Sequence, residues 1–146
     1  MVKYVINTKI KKILVPLDGS TNSMKGLDMA IFLARQCGAT ITGIYSHYVP
    51  SSSSISSIDT ISKAPKEAGE LMEMAKRKAA ENGIDLKYAI VSGEPGYNII
   101  KLAHGKGGFD LIVIGSYGKS SARKLFFGSV SNDVLQKSKI PVLVIK

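Results

Sequence analysis

Short apolar runs alternate with amphipathic stretches along most of this 146-residue chain, and this alternation restricts the fold more than any other feature. Residues 13–17 are apolar throughout, which is typical of a strand buried on both faces. The next stretch has apolar side chains at helical spacing and ends at Gly38, a residue suited to a helix C-terminus. Repetition of this pattern predicts β-α-β-α-β-α-β-α-β, a parallel sheet with helices on both faces.

The predicted strands end beside polar or glycine-rich segments, and such ends are where parallel sheets bind ligands. We expect strands at Ile13–Leu17, Thr40–Ser46, Leu86–Val91, Asp110–Ile114 and Val142–Ile145. Helices are expected up to Gly38, over 66–82, over 97–104 and from Ser129 onward. Helices cover both faces of such a sheet only if the winding reverses once, so the sequence predicts a site beside that reversal.

The length indicates one domain, residues 11–146, preceded by an extension at residues 1–10. Val2, Tyr4 and Ile6 alternate in the extension, which is compatible with an added edge strand or with a loose tail. Residues 50–62 include a serine-rich segment, which we expect to be a flexible loop inside the domain because the alternation resumes after it.

The composition excludes several classes of protein. The single cysteine, Cys37, excludes an internal disulfide framework, and two histidines with no ligand spacing argue against a metal site. No apolar run approaches the ~20 residues that span a bilayer. The basic N-terminus lacks a signal-peptide core, so we expect a cytoplasmic location. The net charge of +9 fits either plain solubility or an anionic ligand.

Asp18 directly follows the first predicted strand. A carboxylate at this edge of a sheet accepts hydrogen bonds from ribose hydroxyls or from an exocyclic amine. The alternative is a structural role, in which Asp18 caps the next helix, with Ser20 or Thr21 sharing that work. Its position in the sequence leaves both interpretations open.

Two glycine-rich corners follow the fourth predicted strand. They are Gly115-Ser116-Tyr117-Gly118 and, nine residues later, Gly128-Ser129-Val130-Ser131. Gly115 and Gly118 let the backbone turn sharply and approach a ligand closely. The second corner starts a helix, whose free N–H groups and partial positive charge suit phosphate, and Ser129 and Ser131 add hydroxyl donors. The alternative is a plain turn with a serine N-cap. The first corner is not a P-loop, because its spacing is too short.

No residue of the sequence is assigned as a nucleophile or a general base, because paired carboxylates and nucleophile motifs do not occur. His104 lies on a short predicted helix without an evident serine or aspartate partner, and we interpret it as structural. Cys37, near a helix end, is interpreted as a small buried hydrophobic residue. We therefore assign no catalytic residue.

These residues resemble the universal stress protein family from about Lys11 to the C-terminus. The resemblance rests on residues 13–20 (ILVPLDGS), 113–118 (VIGSYG), 127–131 (FGSVS) and 140–145 (IPVLVI). The G-x-x-G-x9-G-[S/T] spacing is typical of the ATP-binding branch of that family and is complete here. The resemblance implies a single-domain α/β fold, an open doubly wound sheet of five parallel strands in the order 3-2-1-4-5 with four helices on two faces. In that order the winding reverses between the strands that end at Asp18 and Gly115.

The resemblance also implies a site for ATP, or for AMP or ADP, with Mg²⁺ held through the phosphates. Pro16 and Asp18 are expected to lie against adenine and ribose, and Ser46 falls where the family often has an apolar residue against adenine. The other candidates, Gly115, Gly118, Gly128, Ser129 and Ser131, are expected to hold ribose and phosphates, with Ile114 and Val130 beside them. Lys119, Arg123 and Lys124 between the corners are interpreted either as a lid whose cations face the phosphates or as a solvated basic loop.

The function implied by the resemblance is that of an ATP-binding stress-response or regulatory protein with at most slow hydrolysis. It implies a homodimer through Val142–Ile145, an apolar edge that would invite aggregation if left exposed. Bound nucleotide is expected to order residues 116–127 and so to alter a surface for a protein partner. The alternative is a nucleotide-independent interaction module of the same family. A specific nucleic-acid partner is not expected, because no recognised motif accompanies the charge. An ATP-using enzyme would need a substrate domain that this length hardly allows.

Overall fold

A computed structural model of the protein describes residues 9–48, 64–118 and 127–146. In chain order the elements are β1 (Lys12–Pro16), α1 (Thr21–Cys37), β2 (Thr40–His47), α2 (Lys66–Glu81), β3 (Leu86–Ser92), α3 (Pro95–Ala103), β4 (Leu111–Gly115), α4 (Ser129–Lys137) and β5 (Val142–Ile145). The five strands pair in parallel in the order β3-β2-β1-β4-β5. The expected fold class and strand order are confirmed. Among the described helices, none is both long and apolar enough to cross a bilayer.

Two hydrophobic cores form, one on each face of the sheet. Val15 of β1 and Val113 of β4 pack with α1 and α2 on one face. Leu14 and Ile112, the preceding residues of the same strands, pack with α3 and α4 on the other. Adjacent residues of a strand point to opposite faces, so a strand covered on both sides must be apolar throughout. β4 meets this condition, since all five of its residues are buried.

The ends of the helices explain most of the small differences from the expected bounds. α1 begins after Ser20, whose side chain accepts the backbone N–H of Ser23, and ends at Gly38 with φ of 68°. α3 begins at Pro95, two residues earlier than expected. Proline suits the first turn of a helix because its missing N–H needs no partner there, and the side chain of Glu94 caps this helix.

The carboxyl ends of β1 and β4 lie side by side at the centre of the sheet, where the strand order reverses. The chain continues from β1 into α1 on one face, and from β4 through both glycine corners into α4 on the other. This topology places the polar segments after both strands at one edge. The alternating residues at 2–6 and the serine-rich segment lie outside the described residues.

Candidate functional site

A cavity of about 370 Å³ opens at the carboxyl ends of β1, β2 and β4, a volume in the range of small-molecule sites. Its walls are the residues after β1, the end of β2, the first half of α3 and the two glycine corners. The lining residues are Pro16, Leu17, Asp18, Ser20, Ser23, Ile44, Ser46, Pro95, Ile99, Ile114, Gly115, Tyr117, Gly118, Gly128, Ser129, Val130 and Ser131. The structure therefore brings together all ten residues singled out from the sequence as candidates for holding a nucleotide.

Asp18 shapes the turn between β1 and α1. Its Oδ1 accepts a hydrogen bond from the backbone N–H of Ser20 at 2.8 Å. The N-cap of α1 is Ser20, whose Oγ accepts from the N–H of Ser23 at 3.1 Å. The capping role considered for Asp18 thus belongs to Ser20, and Asp18 contributes a carboxylate to the cavity wall.

A side chain at either glycine of the first corner would meet neighbouring atoms. A Cβ on Gly115 would lie 2.7 Å from the carbonyl carbon of Asn22 and 2.9 Å from the nitrogen of Ser23, both backbone atoms of α1. A Cβ on Gly118 would overlap the carboxylate of Asp18. Neither glycine has a positive φ. Close approach to the α1 backbone, and not an unusual backbone conformation, therefore requires glycine at Gly115, whereas an added Cβ at Gly118 would displace the Asp18 carboxylate.

The second corner leaves the start of α4 without a side-chain cap. Its N-cap residue is Gly128, and among the residues that the structure describes no side chain accepts a hydrogen bond from the first turn. The alternative of a serine N-cap is therefore wrong for this helix. The first N–H groups of an uncapped helix retain a partial positive charge, and here they border the cavity at Ser129 and Val130.

Ser131 holds the two corners together. Its side chain lies in the buried part of the cavity wall, and its Oγ donates to the carbonyl oxygen of Ser116 at 2.6 Å and approaches that of Gly128 at 3.0 Å. A hydroxyl has one hydrogen, so in this structure the expected donor of Ser131 is directed at the backbone. The corners are also joined directly, since the N–H of Gly128 donates to the oxygen of Ser116 at 2.6 Å.

A buried polar contact connects the first corner to α1. The side-chain Nδ2 of Asn22 donates to Oγ of Ser116 at 2.9 Å, and the two residues are 2% and 4% exposed. Satisfied polar groups at this depth fix the relative positions of the elements that carry them. Together with the contact of Gly115 on the α1 backbone, this bond ties the β4 end to the first turn of α1.

The wall made by β2 and α3 combines apolar side chains with one polar network. Ile44 and Ile99 line the cavity and belong to the hydrophobic core under α3 and α4. Oγ of Ser46 donates to the carbonyl oxygen of Gly93 at 3.2 Å and accepts from Nδ2 of Asn98 at 2.8 Å. The side of the cavity opposite the glycine corners is therefore mainly apolar with a single anchored hydroxyl.

Carboxylates of the protein itself surround the start of α3. Glu94 accepts hydrogen bonds from the N–H groups of Gly96 and Tyr97, and the carboxylate of Asp133 lies against Gly96. Asp133 also accepts a hydrogen bond from Nζ of Lys137 at 2.6 Å. That hydrogen bond and the charge of Asp133 raise the pKa of Lys137, and Glu94 adds to the effect. The partial positive charge at the N-terminus of α3 is thus already balanced by carboxylates of the chain itself.

Two other interpretations from the sequence have clear outcomes. The interpretation of Cys37 as buried is wrong, because this residue is exposed in the last turn of α1. His104 has a structural contact, since its Nε2 accepts the backbone N–H of Lys139 at 2.9 Å. The three cations of the predicted lid, Lys119, Arg123 and Lys124, lie outside the described residues.

Seven lining residues were not anticipated from the sequence. Four lie beside the strand ends already considered, and three come from β2 and α3; they are Leu17, Ser20, Ser23, Tyr117, Ile44, Pro95 and Ile99. The position of Ile44 in the cavity wall could have been predicted, because it lies two residues before Ser46 and alternate strand residues share a face. Pro95 and Ile99 carried no local signal, since only the packing of α3 on the sheet brings them to the cavity.

Comparison with known proteins shows which family the chain belongs to. The family profile described as the universal stress protein family matches residues 9–146. The chain belongs to that family. Universal stress protein YxiE of Bacillus subtilis is 38% identical to this universal stress protein over 146 residues, covering 92% of this chain and 98% of YxiE.

Solved structures of other family members have the same architecture. The MJ0577 protein of Methanocaldococcus jannaschii superposes on this universal stress protein with a TM-score of 0.81 at 30% identity, over 94% of this chain and 96% of its own. A universal stress protein of Archaeoglobus fulgidus, solved in complex with dAMP, has a TM-score of 0.66 at 25% identity, over 94% and 98% of the two chains. The fold of the universal stress protein family therefore accounts for nearly the whole chain.

Proposed function

We propose that this universal stress protein binds an adenine nucleotide, with ATP as its ligand, in the cavity beside β1 and β4. The observation that carries the proposal is that the start of α4, which no described side chain caps, faces the same cavity as the glycines of the two corners and the Asp18 carboxylate. Phosphates bind to free N–H groups and positive potential, whereas ribose hydroxyls need an acceptor. The same cavity offers free N–H groups for phosphates and an acceptor for ribose.

The position of each wall suggests how the nucleotide lies. The phosphates would contact the N–H groups of Ser129 and Val130, and Asp18 would accept from the ribose. The apolar surface of Pro16, Ile44 and Ile99 would contact the base. The relative from Archaeoglobus fulgidus solved with dAMP supports an adenine nucleotide as the class of ligand. Mg²⁺ is proposed to be carried by the phosphates.

The proposed role is that of a regulatory switch with at most slow hydrolysis. Asp18 is assigned to the ribose in this proposal, and no residue is assigned as a base that activates water. A homodimer through β5 belongs to the same proposal. β5 pairs with β4 along one edge, and its four residues are all partly exposed. A second copy on the other edge would cover them.

Calorimetric titration of nucleotide-stripped protein with Mg-ATP, AMP and GTP tests the proposal. We expect micromolar binding of Mg-ATP, and at about 100-fold excess over the Kd a gain of about 2.7 kcal/mol in the free energy of unfolding. The variant Gly118→Ala should weaken binding at least about tenfold, or about 1.4 kcal/mol, because the new Cβ displaces the Asp18 carboxylate.

The matched control is Gly69→Ala. Nothing lies within 4 Å of a Cβ at Gly69, which is on α2 and away from the cavity, so its affinity should equal that of the wild type. The absence of binding heat from folded wild-type protein with all three nucleotides would refute the proposed function. Equal affinity in wild type and Gly118→Ala would instead place the ligand outside this cavity.

A further inference from the structure

One end of the cavity is formed by β2 and α3. β1 lies between β2 and β4, and neighbouring strands are ~4.8 Å apart, so the ends of β2 and β4 are about 10 Å from each other. A nucleotide with its phosphates at α4 reaches this end with its base. Of the four residues that β2 and α3 contribute to the lining, Ser46 is polar and Ile44, Pro95 and Ile99 are apolar.

Hydrogen bonds hold Ser46 from two directions. Its Oγ donates to the carbonyl oxygen of Gly93 at 3.2 Å and accepts from Nδ2 of Asn98 at 2.8 Å. The same nitrogen of Asn98 donates to the carbonyl oxygen of Ser92 at 3.0 Å. Ser46 shares the sheet face of Ile44, since alternate residues of a strand point the same way. The hydroxyl is therefore anchored on the cavity side of the sheet.

Two backbone carbonyls fix the polarity of this network. A carbonyl oxygen only accepts hydrogen bonds. The side-chain amide of Asn98 must therefore turn its nitrogen toward the carbonyl of Ser92, and the hydroxyl of Ser46 must point its hydrogen at the carbonyl of Gly93. The second hydrogen of the Asn98 nitrogen is then directed at Oγ of Ser46. A hydroxyl has one hydrogen and two lone pairs. One lone pair is left, so Ser46 acts toward a ligand only as an acceptor.

We propose that Ser46, whose hydroxyl hydrogen is held by the Gly93 carbonyl, selects an amino group over an oxo group at the 6-position of the bound purine. The inference rests on the proposed nucleotide function and adds a determinant of base specificity to it. The 6-amino group of adenine donates to the remaining lone pair of Ser46. The 6-oxo group of hypoxanthine or guanine presents a second acceptor there, and two facing acceptors leave both groups without a partner.

The test compares ATP with inosine triphosphate, which has the same ribose and triphosphate but a 6-oxo base. Affinities are measured by calorimetry on nucleotide-stripped wild type, Ser46→Ala and Asn98→Leu. The wild type should bind ATP about tenfold more tightly, because the 6-amino group forms a hydrogen bond with Ser46 whereas the 6-oxo group cannot. Ser46→Ala should bring the ratio of the two affinities to within about threefold of unity. Asn98→Leu removes only a donor to Ser46 and should keep the preference for ATP, because the carbonyl of Gly93 still holds the Ser46 hydrogen.

Two further variants separate this role from a structural one. Ser46→Thr keeps the hydroxyl and should keep the preference for ATP. Ser92→Ala removes a hydroxyl from the neighbouring strand that does not line the cavity, and it should leave the ratio unchanged. Denaturant unfolding of each variant without nucleotide shows that it is folded before its ratio is interpreted.

The outcomes distinguish this inference from the proposed function. If wild-type protein binds both triphosphates equally well, the inference is wrong and the proposed function stands. The inference is equally wrong if Ser46→Ala keeps the wild-type ratio. If folded wild type binds neither triphosphate, the proposed function fails and the inference fails with it.

Discussion

α3 and α4 both begin at the cavity, but their first turns are completed in different ways. Glu94 caps α3 with its carboxylate, and a second carboxylate, that of Asp133, lies against Gly96. α4 begins after Gly128, and no side chain in the part of the chain that the structure describes caps it. A helix N-terminus carries about half a positive charge, which an anion stabilises. The comparison teaches that α3 has an anion of the chain at its first turn, whereas α4 has none among the described residues, which favours the proposed binding of a phosphate there.

The largest effect is expected from giving α4 an anion of its own. Ser129→Asp places a carboxylate in the exposed first turn of this helix, as Glu94 does for α3. We expect the unliganded protein to gain ~0.3–1 kcal/mol in stability. Mg-ATP binding should weaken by about 100-fold, or about 2.7 kcal/mol, because the new charge repels the phosphates at close range. Calorimetry and denaturant unfolding measure the two effects.

The control for this variant changes the same charge at the other end of the same helix. Gln136→Glu lies in the exposed last turn of α4, and its affinity for Mg-ATP should stay within about threefold of the wild type, since an exposed charge beyond the Debye length is screened. Equal weakening by both variants would show that net charge, and not the start of α4, controls binding.

A smaller effect is expected from removing the cap of α3. Glu94→Ala leaves the N–H groups of Gly96 and Tyr97 without their acceptors, which should cost about 1 kcal/mol in the free energy of unfolding. Chemical denaturation measures this loss. Glu70→Ala, which removes an exposed carboxylate within α2, should change stability by less than about 0.5 kcal/mol. A loss as large in Glu70→Ala would mean that the capping position of Glu94 has no special value.

The smallest effect is a pH dependence beside the start of α3. The hydrogen bond from Lys137 to Asp133 raises the pKa of Lys137 above its usual 10.5, so the folded state holds this proton more tightly than the unfolded state. The resulting stability is complete below pH 10.5 and is lost as the pH rises through the higher value of the folded protein. Asp133→Asn should therefore reduce this loss in denaturant midpoints followed to alkaline pH. An identical pH profile in both proteins would contradict this assignment.

Much of the fold could be predicted from the sequence because burial on both faces leaves a plain signal. All five residues of β4 are buried, so this strand could hardly appear as anything but an unbroken apolar run. Its expected bounds were nevertheless displaced by one residue, since Asp110 bonds to Lys11 and Lys12 through its side chain and its backbone N–H while the strand runs from Leu111 to Gly115. Burial predicts that a strand exists better than it predicts where pairing stops.

The candidate site was predictable where its residues follow a strand end directly or belong to the two spaced glycine corners. Asp18 and Gly115 follow directly from the topology, since both lie at the reversal. Ile99 and Ser131 depend on how α3 and α4 pack, and packing determined that the Ser131 hydroxyl faces the Ser116 carbonyl. Cys37 was misjudged for a related reason. The last three residues of α1 are all exposed, so this turn extends past the surface that the sheet covers.

The hydrogen bond from Asn22 to Ser116 joins residues 94 positions apart in the chain. The residues of the cavity in β1 and the first turn of α1 are therefore synthesised early, and those in the corners after β4 are synthesised late. A chain that has folded only its first half has no site, because contacts of such long range form only when both segments are in place. Whatever binds here stabilises the complete fold alone, and its occupancy reports that folding has finished.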